Sequence, residues 1–472
     1  MESYKYLAKN IGLLALSNFG TKLITFLLVP LYTNILTTSE YGEYDFLNAT
    51  ISLLVPILTL NIMESTLRYT LSKEDNVNDI FSISMKYFLI AILVMLAFIG
   101  INYVTDIFPI IHDYWGLFFL LFITNAFGGI IVSFARGIDQ IIDVSISSII
   151  STLTIVGLNI ILLVIFKMGI VGFLWATIIG SLSQAAYLCI KIKCWKYVRF
   201  NVENKSLEKE MLHYCRPLIA NSVAWWFNSA ADRYIVIWFC GMAENGIYSV
   251  GYKIPSILNI FQSIFNQAWT LSAVRDFDPE DKDGFFKKMY GLYNCLMVLM
   301  CSILIILDRF IAKILYANEF FLAWKYVPFL LISIVFGAVS GYVGGIFSAV
   351  KKSSLYAQST IVGAAVNIIL NFTLVQYMGA LGAAVSTGIS YMVVWAMRVI
   401  VLRKYINMKI NYVRDCISYG ILWIQSILLV MYQKETILLY VIQFVLLIII
   451  LFLYYGELNH VYEMIRDKIR RR

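Results

Sequence analysis

Three cationic side chains stand within stretches of this sequence that are otherwise apolar: Lys22, Arg233 and Lys253. A cation at the centre of a hydrocarbon layer costs about 3 kcal/mol on insertion scales, so each requires a polar surrounding or an anionic partner. The planar fork of Arg binds phosphate-like anions through paired hydrogen bonds, and Lys acts on them as a point charge. At helical rise Arg233 and Lys253 each lie about 10 Å from the break between their two apolar stretches. The blander readings are that Arg233 neutralises the adjacent Asp232 or snorkels, and that Lys253 snorkels likewise.

Other polar residues share helical faces with these cations. Asn221, Trp225, Asn228 and Asp232 fall on one face, and Tyr248, Tyr252, Pro255, Asn259, Gln262 and Asn266 on another. Asn18 precedes Lys22 by one turn. Such amides serve either a wet cavity or interhelical hydrogen bonds. Two acids, Asp232 and Glu64, are placed to carry a proton or a sodium ion; Glu64, with Arg68 one turn on, also reads as an interfacial ion pair. The seven cysteines are scattered without a CxxC pair, and there are only three histidines. No metal site, disulfide framework or cofactor follows from them. No P-loop is present, so ATP hydrolysis would need a partner. The expected outward loops are short, the longest about 308–325, and carry no DxD motif. An embedded glycosyltransferase or polymerase is therefore disfavoured, and the chain reads as a non-enzyme.

The elements that must position these residues are membrane helices. The 472-residue chain is 60% hydrophobic and 14% charged, where soluble domains are nearer a quarter charged. Its apolar runs are continuous, as in Trp115–Phe134, Asp143–Phe166 and Ile437–Leu453. A membrane β-barrel would show short alternating segments instead. About fourteen spans are expected, each near the length of a bilayer core: 11–36, 46–63, 80–103, 115–134, 143–166, 169–190, 217–240, 246–270, 287–307, 326–349, 354–377, 379–401, 415–432 and 436–455. The first reads as a retained helix rather than a cleaved signal peptide. With both termini cytoplasmic, Lys and Arg concentrate inside, in the 191–216 segment, at Lys351 and Lys352, across Arg398–Arg414 and in the tail to Arg472. The net charge of +8 thus suits an anionic membrane face and requires no nucleic acid.

The chain also repeats itself. Glu40-Tyr41-Gly42-Glu43-Tyr44 recurs as Glu244-Asn245-Gly246-Ile247-Tyr248, and Met168-Gly169-Ile170-Val171-Gly172 as Met378-Gly379-Ala380-Leu381-Gly382. Thr177 and Thr387 keep the same register. The expected organisation is an N-terminal six-helix lobe (1–205), a second six-helix lobe (206–410) related by a pseudo-two-fold axis, and two additional helices with a basic tail (411–472). Paired lobes of this kind suit a transporter.

The run Asn18-Phe19-Gly20, Pro30-Leu31-Tyr32-Thr33 and Glu40 to Tyr44 resembles the opening of polysaccharide-biosynthesis flippases. These are the Wzx-type O-antigen and capsule-unit transporters of the multidrug/oligosaccharidyl-lipid/polysaccharide exporter superfamily. The Met-Gly-x-x-Gly motifs and Phe265-Asn266-Gln267-Ala268-Trp269 are similar to it as well. The resemblance implies a V-shaped pair of six-helix lobes around a central cavity. Its cargo is an undecaprenyl-pyrophosphate-linked sugar unit, moved from the inner to the outer leaflet of the bacterial plasma membrane by alternating access. In that setting Lys22, Arg233 and Lys253 are expected to receive the pyrophosphate, and Asn18, Asn221, Asn228, Asp232, Tyr252 and Asn259 to line the cavity. Implied partners are the lipid-linked oligosaccharide, membrane lipids, H+ or Na+ as coupling ion, and polymerase or assembly proteins. The rival readings are a multidrug antiporter, whose relatives carry an acid in the first helix where this chain has Asn18 and Lys22, and a lipid II flippase.

Overall fold

The computed structural model describes residues 26–72, 76–199, 204–275, 277–350, 352–432, 434 and 436–470, which are mainly helical with no strand among them. In chain order the first helices are α1 (Val29–Ile35), α2 (Thr38–Leu58), α3 (Ile62–Ser72), α4 (Val77–Thr105), α5 (Pro109–Asp113), α6 (Trp115–Gly137), α7 (Ile141–Asn159) and α8 (Gly169–Ile192). There follow α9 (Lys205–Cys240), α10 (Met242–Gly251), α11 (Lys253–Arg275), α12 (Phe285–Leu315), α13 (Val327–Ala349), α14 (Ser353–Met378), α15 (Ala380–Leu402), α16 (Tyr412–Met431), α17 (Ile437–Leu453) and α18 (Tyr455–Arg470).

Nine of the described helices are long and apolar enough to cross a membrane, or ten if the bent pair α2 and α3 is one span. α9 and α11 have the length, at 36 and 23 residues, but carry more polar side chains. α17 is apolar over 17 residues. A helix stands at each of the expected spans from 46–63 onward; the first, 11–36, lies mostly outside the described residues, with α1 at its end. Large apolar side chains face outward, Ile437 being 85% and Phe452 80% exposed, a surface that lipid covers without cost. The protein is an all-helical, multi-pass membrane protein.

Three expectations are corrected. The 46–63 segment is two helices meeting at 55°. Pro56 cannot donate to the helical ladder, and Leu60 and Asn61 adopt φ of 52° and 53°. α9 partners the break: Asn61 Nδ2 donates to Ser222 Oγ at 3.2 Å, and the Cys215 thiol donates to the Asn61 carbonyl at 3.5 Å. The 246–270 segment is likewise divided, into α10 and α11, at Tyr252. Finally, the expected outward loop 308–325 is mostly helical, because α12 continues to Leu315 and a 3-10 stretch covers Asn318–Lys325. Arg309 is tolerated inside that helix. Its guanidinium donates to the carbonyls of Leu429 (2.8 Å) and Tyr432 and lies 4.0 Å from the Trp324 ring centroid.

Contacts divide the chain into Met1–Ala231 and Asp232–Arg472, the division falling within α9. In the first unit α8 packs on α6 and α7, and α3 on α6. The start of α9 is fixed by Glu208, which accepts from Lys86 Nζ and Tyr87 Oη, both at 2.7 Å. The Lys86 ammonium holds that carboxyl below its usual range. In the second unit α15 packs on α13 and α14, and α13 also on α11 and α12. α13 is the centre of this unit, 89% of its apolar window being buried against 17% for the α7 span. It can be central because Gly341 and Gly345 present almost no bulk: a Cβ there would lie 2.7 Å from Asn266 Nδ2 and from the Trp269 ring, respectively.

The repeated Met-Gly-x-x-Gly motif has a geometric cause. Its first glycine, Gly169 or Gly379, has φ of +54° or +59°, a left-handed conformation that side chains disfavour. Its second glycine admits the preceding helix. A Cβ on Gly172 would lie 3.1 Å from Leu162 Cβ, and one on Gly382 would collide with the Leu374 carbonyl and lie 2.8 Å from Val375 N. In the first unit the two repeated motifs also meet. Glu40 forms a capping box with Thr37 at the start of α2, and its Oε1 accepts the Ile170 N–H at 3.4 Å. Replacing Gly382 with Ala is expected to destabilise the protein by about 2 kcal/mol or more through overpacking, and Gly379→Ala by about 1 kcal/mol through backbone strain. Gly116→Ala, whose Cβ meets nothing within 4 Å, is the control. Thermal unfolding in detergent separates the three, and identical midpoints would contradict this account of the turn.

Candidate functional site

The second unit contains a compact acid–tyrosine cluster built by one sharp turn. Gly241, at φ +88°, ends α9 and sends the chain back along it as α10. Asp232 near the end of α9 therefore meets Tyr248 and Tyr252, which are one helical turn apart and project from the same face. Tyr248 donates to Asp232 Oδ2 at 2.6 Å and Tyr252 donates to the same oxygen at 2.8 Å. The two phenol oxygens are 3.0 Å apart, and their rings meet edge to face at 5.3 Å. Oδ1 accepts the Arg233 backbone N–H at 3.0 Å.

Asp232 is only 4% exposed and Tyr248 is fully enclosed. Burial of a carboxylate is costly unless donors surround it, and three donors do so here. A proton or sodium ion reaching Oδ2 must compete with two phenols for it. The Arg233 guanidinium carbon lies 5.8 Å from the Tyr252 ring centroid, which puts a cation beside the same cluster. Tyr326 extends the polar column toward Gly241: its ring is 5.8 Å from that of Tyr248, and its hydroxyl donates to Glu244.

Of the residues singled out in the sequence, Asp232, Arg233 and Tyr252 are thus brought together, and half-buried Lys253 follows Tyr252 at the start of α11. Asn259 is exposed further along α11. Gln262 and Asn266 instead lie against Gly337 and Gly341 of α13, which assigns them to helix packing. Asn221 and Trp225 are exposed on α9 in the first unit. Asn228 also belongs to α9, and its side chain is not among those described. Asn18 and Lys22 lie outside the described residues. Glu64 is exposed, and among the described residues it forms no ion pair with Arg68.

Besides Arg309, sequence reasoning passed over a second buried cation. Arg398 of α15 is 4% exposed. It donates to Ser359 Oγ, Thr360 Oγ1 and the Ser340 carbonyl, each at 2.9 Å, and lies 3.9 Å over the Tyr356 ring. The signal was a single Arg inside the apolar run 391–402, which had been grouped with the basic residues that follow it.

Comparison with known proteins places the chain in a family. The model for the family described as polysaccharide biosynthesis protein matches residues 7–270, more than half of the chain. A 209-residue stretch is 22% identical to the probable low-salt glycan biosynthesis flippase Agl15 of Haloferax volcanii, covering 43% of this chain and 44% of that protein. The match therefore spans less than half the length of that curated relative. Among solved structures, the lipid II flippase MurJ in an inward closed conformation superposes with a TM-score of 0.70 at 13% identity, over 96% of this chain and 99% of that one. An inward-facing multidrug resistance MATE family transporter of the MOP superfamily gives 0.68 at 11% identity, over 81% and 94%. At these identities the likeness is one of fold. With the family model matched over residues 7–270, this chain belongs to the polysaccharide biosynthesis protein family.

Proposed function

We propose that the protein is a flippase that carries undecaprenyl-pyrophosphate-linked oligosaccharide units from the inner to the outer leaflet of a bacterial plasma membrane, supplying O-antigen, capsule or exopolysaccharide synthesis. Family membership supports this reading, as does the partial match to a protein named as a glycan biosynthesis flippase. The observation that carries it is the Asp232–Tyr248–Tyr252 cluster with Arg233 beside it. That is polar equipment for an anionic, hydroxyl-rich ligand inside an apolar helical unit. The cargo is moved without making or breaking a bond.

In this proposal Lys22, Arg233 and Lys253 receive the pyrophosphate. Asn18, Asn221, Asn228, Tyr252 and Asn259 meet the sugars, and Asp232 or Glu64 exchanges H+ or Na+. The lobes 1–205 and 206–410 alternate access, and both termini are cytoplasmic. The matched packing of α8 on α6 and α7, and of α15 on α13 and α14, supports the two-lobe organisation. The fold alone suits a multidrug antiporter or a lipid II flippase equally well. Lys22, a cation within the expected first span, favours an anionic cargo.

Deletion of the gene in its native host is expected to abolish surface polysaccharide and to accumulate undecaprenyl-linked units on the cytoplasmic leaflet. Unchanged polysaccharide with altered drug sensitivity would transfer the assignment to the antiporter. In the complemented strain Lys22→Ala is expected to abolish export while leaving the amount of membrane-inserted protein unchanged. Normal export by that variant would remove Lys22 from the site.

A further inference from the structure

Far along the second unit from the acid–tyrosine cluster in sequence, a cavity of about 560 Å³ opens where the start of α12, the segment 403–411 and the start of α18 come together. Its charged and titratable lining is Lys287, Lys288, Lys409, Arg414, Glu457 and His460. Glu457 fits there because Gly291 of α12 has no side chain, and a Cβ on it would lie 3.2 Å from Glu457 Oε1.

The charges of this cavity do not cancel. Arg414 is satisfied: it pairs with Asp415 at 3.0 Å and with Glu457, and its guanidinium lies 4.4 Å from the Tyr454 ring. Asp415 is in turn held by Tyr290 at 3.0 Å. The lysines have no such partners. Among the described residues, Lys287, Lys288 and Lys409 make no ion pair. The nearest acid in sequence, Asp283, makes no ion pair among the described residues, and Asp281 is engaged otherwise, accepting the backbone N–H groups of Phe286 at 2.9 Å and Lys287 at 3.0 Å. The wall that carries Lys409 is fixed in place, since the Asn407 N–H donates to the Pro279 carbonyl at 2.7 Å. Three unpaired ammonium groups thus converge on a preformed cavity whose one lining carboxylate is already held by Arg414.

Apolar surface continues from the cavity along a membrane helix. Leu292 and Ile410 line it. Beyond Leu292, α12 exposes Leu296, Ile303, Leu307, Phe310 and Ile314, a spacing that forms one stripe along the helix. A cationic pocket at one end of an exposed apolar stripe matches a phosphate head group with acyl chains attached.

We infer that this cavity binds the phosphate head group of an anionic phospholipid, with Lys287, Lys288 and Lys409 as its cationic ligands and the α12 stripe against its acyl chains. It rests on the membrane reading of the chain and on the basic side facing the cytoplasmic leaflet, but not on the identity of the transported cargo. Purified full-length protein in nanodiscs of phosphatidylcholine, with and without phosphatidylglycerol, provides the test. Native mass spectrometry counts retained lipid, and thermal unfolding reports stabilisation. Phosphatidylglycerol is expected to be retained and to raise the midpoint by about 2 °C or more. The variant K287Q/K288Q/K409Q is expected to lose about 10-fold or more in apparent affinity while unfolding normally in pure phosphatidylcholine. Lys409→Gln alone is expected to show a partial loss, and Lys313→Gln, at the far end of α12, none. Equal retention by the wild type and the triple variant would overturn the site. Stabilisation by inorganic phosphate alone, matching that by phosphatidylglycerol, would overturn the lipid as its occupant.

Discussion

Inside a hydrocarbon layer no water is available to a polar group, so each one must find its partner within the protein or go without. Much of this structure follows from that constraint. Asp232 is held by two phenols and a backbone amide. Arg309 and Arg398 are held by carbonyls, hydroxyls and aromatic faces rather than by acids. Gln425 and Gln443 each donate to the other's backbone carbonyl, joining α16 to α17. Other buried polar atoms, both Asp308 carboxylate oxygens among them, have no such partner, whereas Lys287, Lys288 and Lys409 are exposed where they line one cavity.

The same constraint shapes the backbone. A break in a membrane helix frees backbone groups that need a partner, and the Cys215 thiol of α9 supplies one to the Asn61 carbonyl. Where the chain must reverse within a short distance, glycine allows it, as at Gly169, Gly241 and Gly379. The turn at Gly241 brings Tyr248 and Tyr252 back to Asp232. The repeated Met-Gly-x-x-Gly motif is the trace in sequence of one turn geometry used twice.

Helix positions were legible because apolar runs of bilayer length admit one conformation, and a helix stands at each expected span among the described residues from 46–63 onward. The breaks were not legible. Pro56 is internal to α2 and marks the region, but the bend itself lies at Leu60 and Asn61, which carry no special signal. Asp308 and Arg309 looked like a loop because charge usually ends a span; here Trp324 and two carbonyls accommodate the arginine. At the site, the face shared by Tyr248 and Tyr252 was readable from their spacing, whereas its meeting with Asp232 depended on the Gly241 turn. Asn259, Gln262 and Asn266 shared a face with them by period alone. The glycines of α13 draw two of these three into helix packing, which no pattern within α11 could reveal. The lysine cavity was invisible for the same reason: its residues come from three segments far apart in the chain.

The proposed function has a lipid-linked glycan crossing the bilayer intact through this protein. Reconstitution of the purified chain into liposomes carrying fluorescent undecaprenyl-pyrophosphate-linked oligosaccharide, probed with a membrane-impermeant quencher, tests it most directly. The account requires the quenchable fraction to rise above that of protein-free vesicles, and the lipid to be recovered chemically unchanged. A fraction equal to the protein-free control, or recovery of cleaved or extended lipid, would contradict it.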